Sequence, residues 1–125
     1  MSAKALYARI VDQVTALGTR MYPEQVPGTS APVYPLAVYD GSGPEPIVGA
    51  AGTSSESMGV AVIAVGYGSS RDIAKLIRDA IHNQAGTWGG VTVVRAFYES
   101  GSESTFRIAN TNLWQTEQTF TVWSR

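Results

Sequence analysis

Cysteine is absent from this chain of 125 residues, and histidine occurs once, as His82. The first absence excludes disulfide bonds, thiolate metal ligands and a cysteine nucleophile. The second excludes metal sites that are built from several histidines. Charged residues are scarce at 15%, compared with about 25% in an average domain, and the net charge is −1. The sequence therefore lacks the positive charge that marks most nucleic-acid-binding domains.

Long apolar stretches are missing as well. The longest one, Met58 to Val65, falls far short of the roughly 20 residues that span a bilayer. Lys4, Arg9 and Asp12 interrupt the apolar residues near the N-terminus, where a signal peptide needs an unbroken apolar core. From these patterns we expect a soluble protein made in a cytoplasm, with no membrane partner. The length predicts a single domain over residues 1–125.

Two segments have the apolar spacing that is typical of amphipathic helices. The apolar stripe of the first consists of Leu6, Ile10, Val14 and Leu17, and Gly18 follows it as a stop signal. The stripe of the second consists of Ile73, Ala74, Ile77, Ala80 and Ile81. Ser69 or Ser70 is the expected N-cap of this second helix.

Threonine, β-branched and aromatic residues predict strands between the helices and after them. The expected strands are Leu36 to Tyr39, Gly59 to Val65, Val91 to Glu99, Thr105 to Ala109 and Gln115 to Ser124. The last three form a meander, with turns at Ser100 to Ser104 and at Asn110 to Asn112. The predicted fold class is α+β: a single antiparallel sheet of four to five strands with two helices packed on one face.

Two of these strands carry apolar residues on both faces, although two helices cover only one. In the strand from Gly59 to Val65, Val62 and Ile63 point in opposite directions, as do Val122 and Trp123 in the last strand. The surplus indicates that another subunit buries part of the sheet. The alternative is that small residues such as Ala61 are simply exposed.

Residues 40–57 predict a long loop or arm. The segment contains four glycines, two prolines and four serines, and Ile47 and Val48 are its only larger aliphatic residues. Loops of this length are uncommon in compact domains unless they have a function or lack order. Two interpretations therefore stay open, a flexible hairpin tip and an arm that binds a partner.

Catalytic and cofactor motifs are not found. Gly66-Tyr67-Gly68 joins a strand to a helix, but Arg71 replaces the third glycine of the dinucleotide fingerprint, so a simple turn is favoured over a phosphate site. His82 follows the second helix, where an imidazole interacts favourably with the helix end, and this favours a structural role. The acidic residues are scattered, and their spacing indicates no pair of carboxylates for acid–base catalysis. We therefore expect no enzyme activity, no cofactor and no metal.

A row of basic residues on the second helix has a plain interpretation. Arg71, Lys75 and Arg78 share one side of that helix, and Asp72 and Asp79 beside them cancel much of the charge. A solvated helix face is the default, and contact with a phosphate backbone is the weaker alternative.

The order of elements resembles a known family of virion proteins. After the first helix come Met21-Tyr22-Pro23, a strand that ends in Val38-Tyr39, and an apolar strand. The second helix follows at Asp72 to Ile81, then Phe97-Tyr98-Glu99, and finally Phe120-Thr121-Val122-Trp123. This order resembles the tail-completion proteins of long-tailed bacteriophages, also called tail terminators or tail-to-head joining proteins.

The resemblance implies a small α+β subunit that assembles into a ring, usually of six copies. In that family the ring ends polymerisation of the tail tube and offers a surface to the connector of the head. The implied partners are further copies of the chain, the tail tube protein and a connector or neck protein. DNA passes through the lumen without specific binding. The implied location is the tail or neck of the virion, with assembly in the host cytoplasm and without catalytic residues.

From the loop, the turns and the aromatic residues we predict where a subunit or partner interface lies. The candidate residues are Ile47, Val48, Tyr67, Trp88, Ser102, Trp114 and Trp123. Two alternatives to the terminator interpretation remain. One is another neck or tail-tube component. The other is a small ligand-binding domain that uses the rings of Trp88, Tyr98 and Trp114.

Overall fold

The computed structural model describes residues 2–23, 33–41, 45–46 and 52–125. Within this part of the chain, two helices and eight strands form one α+β unit. The elements in chain order are α1 (Ser2–Gln13), a short 3-10 helix (Thr15–Leu17), β1 (Met21–Pro23), β2 (Leu36–Gly41), β3 (Glu45–Pro46), β4 (Ser54–Val65), α2 (Tyr67–Ile81), β5 (Gln84–Trp88), β6 (Val91–Tyr98), β7 (Ser104–Arg107) and β8 (Leu113–Ser124).

A single sheet contains these strands in the order β1-β2-β4-β8-β6-β5, with β3 paired to β4 and β7 paired to β8. Its centre is the antiparallel pair of β4 and β8, which runs from Ser54 opposite Ser124 to Val65 opposite Leu113. β2 and β3 follow one another along the outer side of β4. β6 and β7 do the same along the outer side of β8. A long central ribbon therefore holds shorter strands on both sides.

Both helices pack on one face of the sheet, as predicted, and the core lies between them and that face. The predicted stripe of the first helix is buried, with Leu6, Ile10 and Leu17 at 0% exposure. The helix is shorter than predicted, because α1 ends at Gln13 and Leu17 belongs to the 3-10 helix that follows. On the sheet side, Phe120 and Val62 are equally inaccessible. Complete burial of one such side chain contributes about 1.5–3 kcal/mol. Neither helix in the described part of the chain has the length and apolar character needed to cross a membrane.

The sheet is larger than predicted and is not wholly antiparallel. β1, β3 and β5 add to the expected strands, and β1 runs parallel to β2. β5 and β6 form a hairpin through Gly89 and Gly90, which both have positive φ. Of the five residues of β5 only Trp88 is buried, so this strand has no apolar alternation by which the sequence could reveal it.

The predicted meander is wrong in one connection. β6 and β7 do not pair with each other. Both pair antiparallel with β8, one after the other along its length. The expected turn at Ser100 to Ser104 is present, with the Ser102 amide donating to the Glu99 carbonyl oxygen at 3.1 Å, but it does not reverse the chain. The strands on either side lie end to end along β8, so the segment forms a bulge between them. The turn expected around Asn110 is confirmed, and it connects β7 to β8 with Asn110 at a φ of 62°.

The loop predicted over residues 40–57 is shorter than expected at both ends. Asp40 and Gly41 belong to β2, and β4 begins at Ser54 rather than at Gly59. The polar residues 54–57 form a strand because β8 pairs with β4 along its full length. A Cβ at Gly41 would meet the Glu56 carboxylate and lie 2.7 Å from the sulfur of Met58, so both side chains would have to shift to admit a larger residue. Apart from the two residues of β3, the centre of the predicted loop lies outside the described residues.

The second helix starts without the predicted serine cap. Gly66 takes a φ of 97°, and α2 begins at the next residue. The Ser70 hydroxyl instead donates to the Tyr67 carbonyl oxygen at 3.1 Å and accepts from the Thr116 hydroxyl at 3.1 Å. Ser70 is fully buried, so these bonds tie the first turn of α2 to β8.

Candidate functional site

The sheet has a second face, turned away from α1 and α2, which we call the open face. It is formed by the odd-numbered residues of β4 and β8 and by their neighbours in register. Large apolar side chains are accessible on this face: Val65 is 53% exposed, Phe106 42% and Trp123 40%. The rings of Trp123 and Phe97 meet edge to face, with centroids 6.0 Å apart. The open face thus has apolar ends, as the surplus of apolar residues in the sequence predicted.

The middle of the open face is a shallow concavity of about 510 Å³, which we call the acidic trough. Its floor consists of the small residues Gly59 and Ala61 in β4. Asp40 of β2 lies opposite Gly59, and Glu117 of β8 lies opposite Ala61, so the two acidic side chains come from strands on either side of this floor. A Cβ at residue 59 would come 2.5 Å from the Asp40 carboxylate, so the glycine leaves room for that side chain.

A second concavity, of about 330 Å³, lies beside α2, and we call it the α2 groove. It is lined by Tyr67, Gly68, Arg71, Asp72, Lys75, Arg78 and Glu103. The Arg71 guanidinium donates a hydrogen bond to the Tyr67 hydroxyl at 2.6 Å. This bond, together with the charges of Tyr67 and Glu103, raises the pKa of Arg71 above its ordinary value. Arg71 is therefore a permanent cation at the edge of the groove.

Glu103 joins the α2 groove to the bulge between β6 and β7. Its carboxylate lies 3.6 Å from Arg71 and 3.9 Å from Arg78, and it accepts a hydrogen bond from the Gln118 amide at 3.2 Å. Lys75 stands between the two arginines along the helix and has no ion pair with any described residue. The groove is therefore a cationic surface with one unpaired ammonium group.

The predicted interface residues fall into different environments. Tyr67 is 47% exposed and meets the half-buried Trp114 edge to face, with ring centroids 5.2 Å apart. Trp123 lies on the open face, whereas Trp88 is a core residue at 6% exposure with the Arg9 guanidinium 5.2 Å from its ring centroid. Ser102 sits half-buried in the bulge. Ile47 and Val48 lie outside the described residues, and an interface at any of these positions remains a prediction.

The rings named for the ligand-binding alternative do not converge. Tyr98 lies opposite Phe120, whereas Trp114 is six residues further along the same strand, which corresponds to about 20 Å. Trp88 is part of the core. None of the three lines either the acidic trough or the α2 groove. The geometry therefore offers that alternative no shared pocket.

The other residues considered from sequence have structural contacts. His82 accepts a hydrogen bond from the Tyr98 amide at its Nδ1 atom, at 2.9 Å, which ties the end of α2 to β6. The turn at Gly66 has the left-handed φ that a strand-to-helix connection needs. Within the part of the chain that the structure describes, no group of three or more histidine or acidic residues could hold a metal ion.

Sequence reasoning missed the acidic trough. Asp40 and Glu117 were counted among scattered acids, and only the register of β2, β4 and β8 brings them to one surface. The available signal was the pair of small residues, Gly59 and Ala61, within an aliphatic strand. Such residues leave a depression wherever larger neighbours flank them.

Comparisons with known proteins show the fold. A scan against protein-family models and a search of curated proteins gave no match. Among solved structures, the chain is similar to a chain in a structure described as "Virion of native gene transfer agent (GTA) particle", with a TM-score of 0.65 and 15% sequence identity. The likeness covers 96% of this chain and 91% of that one. The two chains therefore share a fold over nearly their whole lengths.

Proposed function

We propose that the chain is a structural virion protein that forms a ring at the head-proximal end of a tail tube, ends polymerisation of the tail and joins it to the head. The observation that carries the proposal is the fold shared over 96% of this chain with a chain of a virion. The order of sequence elements independently resembles a family of virion proteins with this role. A ring of six copies, the usual number in that family, belongs to the proposal.

The surface of the protein supports a role in assembly. Val65, Phe106 and Trp123 are accessible on the open face, and Tyr67 and Leu76 are accessible on α2. Exposed aromatic and aliphatic residues of this kind supply the apolar contacts of protein–protein interfaces. The sheet and the helix layer therefore both offer surface to a neighbouring subunit.

The proposed role is structural and needs no catalytic group, metal or cofactor. In a ring of this kind, DNA passes through the lumen without specific binding. The net charge of −1 supports this, because a strongly basic lumen would hold the phosphate backbone by releasing its counterions. The partners in the proposal are further copies of the chain, a tail tube protein and a connector or neck protein.

Light scattering coupled to size-exclusion chromatography tests the ring, with a concentration series and negative-stain images of the largest species. We expect a closed ring of about six copies. Addition of the ring to growing tail tubes should stop elongation and place one ring at one end of each tube. A chain that polymerises into tubes by itself is a tube subunit instead. A chain that stays monomeric and leaves tube growth unchanged contradicts the proposal.

A further inference from the structure

We infer that the chain assembles head to tail, with the α2 groove of one copy packed over the acidic trough of the next copy. This inference rests on the proposed function, because it requires the chain to assemble with itself. It goes further by naming the two surfaces and the charges that meet.

The positions of the two concavities favour a ring over a dimer. The acidic trough lies on the open face, and the α2 groove lies on the helix side of the same sheet. A contact between two different patches of identical chains leaves one free patch at each end, so it repeats, and it gives a ring where the rotation between copies closes and an open filament where it does not. A contact that uses one patch twice stops at two copies.

The charges of the two surfaces are complementary. Asp40 and Glu117 give the trough two negative charges, and Ala61 and Thr119 add none. The α2 groove carries three cations against Asp72 and Glu103, which leaves a net charge of +1. Opposed potentials of this kind steer association and set the register of an interface.

Among the three cations of the α2 groove, Lys75 is the one without an ion pair to a described residue. Arg71, Lys75 and Arg78 follow one another at helix spacings of four and three, and like charges at these spacings destabilise a helix. Glu103 offsets Arg71 and Arg78, but Lys75 has no ion pair among the described residues. A carboxylate from a neighbouring copy completes this arrangement.

The shape of the trough suits a long cationic side chain. Asp40 and Glu117 belong to strands on either side of β4 and are offset by two residues along it, which places their backbones about 12 Å apart. Ala61 keeps the floor low beside the Asp40 carboxylate, which lies over Gly59. A lysine can therefore lay its alkyl chain over Ala61 and bring its ammonium group to either carboxylate.

Charge reversal tests the pairing, with Lys75→Glu and Glu117→Lys made as single variants. We expect each variant alone to raise the midpoint concentration for assembly about tenfold or more, because like charges then face each other. An equimolar mixture of the two variants should assemble like the wild type. In an alternating ring, every second interface pairs the two substituted side chains, which again have opposite charges, and the other interfaces pair Lys75 with Glu117. The mixture also requires an even number of copies.

Two controls separate this pairing from changes in net charge or in folding. Lys4→Glu and Asp12→Lys make comparable charge changes on α1, and they should leave the midpoint unchanged. Circular dichroism and melting curves establish that each variant folds. The wild-type midpoint should rise with sodium chloride concentration, because salt screens the attraction.

The outcomes distinguish this inference from the proposed function. Single variants that assemble as well as the wild type overturn the named interface and leave the ring in place. If the two variants assemble poorly both singly and as a mixture, the two residues do not face each other, and the pairing is overturned. A wild-type chain that forms no ring, alone or with tail tubes, overturns the inference and the proposed function together.

Discussion

Ser102 takes the place of a strand residue beside Thr119. Its hydroxyl oxygen accepts the Thr119 amide hydrogen at 3.1 Å and lies 3.5 Å from the Thr119 carbonyl oxygen. The Glu99 amide donates to that same carbonyl at 2.9 Å. β8 therefore keeps hydrogen-bond partners across the bulge between β6 and β7. The serine singled out from sequence has a structural role here, and its predicted contact with a partner remains a prediction.

Ser102→Ala should lower the free energy of unfolding by about 1–2 kcal/mol, because the Thr119 amide loses its acceptor in a partly buried place. Ser100→Ala is the matched control, since Ser100 lies exposed in the same bulge. Urea denaturation of both variants checks this expectation. Equal stability of the two variants would show that water replaces the hydroxyl without cost.

The hairpin between β5 and β6 packs closely against α1, and two adjacent glycines allow this packing to be measured. Both have positive φ, 58° at Gly89 and 81° at Gly90. A Cβ at Gly89 would lie 2.9 Å from the Cβ of Ala8 and 3.3 Å from the Lys4 carbonyl oxygen, whereas none of the neighbouring atoms comes within 4 Å at Gly90.

Gly90→Ala should cost about 1 kcal/mol, since an L-residue is strained at positive φ. Gly89→Ala should cost about 1–3 kcal/mol more, because α1 must also shift away from the new methyl group. The difference between the two melting temperatures isolates the contact with α1. Equal melting temperatures for the two variants would show that the hairpin does not pack closely against α1.

The helices could be predicted from sequence, whereas much of the sheet could not. In α1, the spacing of Leu6 and Ile10 is a local signal, and both residues are buried as expected. In contrast, Ser54–Ser57 have the composition of a loop and form a strand only because β8 offers a partner of equal length. Strand pairing depends on distant residues, so local composition does not reveal it.

The same reasoning explains what was missed in the candidate site. The exposed position of Trp123 follows from strand alternation, which a sequence shows directly. The approach of Asp40 to Glu117 depends on the register of three strands. Similarly, Glu103 meets Arg71 because the segment between β6 and β7 bulges beside β8 instead of reversing the chain. Surfaces made by register and bulges need the assembled sheet before they can be recognised.

The environment of Tyr39 makes the stability of the protein depend on pH in the alkaline range. Burial raises the pKa of its phenol above the ordinary value of 10.0, and the neighbouring Tyr7, with ring centroids 6.3 Å apart, adds to the shift. The folded state thus holds this proton more tightly than the unfolded state does. The resulting stabilisation is complete below pH about 10 and is lost as the pH rises above that value.

We therefore expect the free energy of unfolding of the wild type to fall more steeply above pH about 10 than that of Tyr39→Phe. Denaturation at a series of alkaline pH values gives the two slopes. A pH titration of tyrosinate absorbance in the folded protein follows ionisation directly. Tyr39→Phe should remove the part of the absorbance change that requires a pH above the ordinary pKa of tyrosine. Parallel slopes for the two proteins would assign the alkaline loss to other groups.

Glu103 acts through its charge and through its oxygen, and two substitutions separate these contributions. Glu103→Gln keeps an acceptor for Gln118 but removes the charge between Arg71 and Arg78. Because these ion pairs lie near the surface, we expect a loss of about 0.5–1 kcal/mol at low salt that fades near 1 M salt. Glu103→Ala also leaves an amide hydrogen of the buried Gln118 without its acceptor, so it should lose about 1 kcal/mol more at every salt concentration.

Glu99→Gln provides the matched control for the change of charge. Glu99 stands at the other end of the bulge, exposed, and accepts a hydrogen bond from the Thr121 hydroxyl at 3.3 Å without an ion pair to any described residue. Its substitution should change stability little at any salt concentration. A salt-independent loss in Glu103→Gln, equal to that in Glu103→Ala, would mean that packing rather than charge holds the bulge against α2.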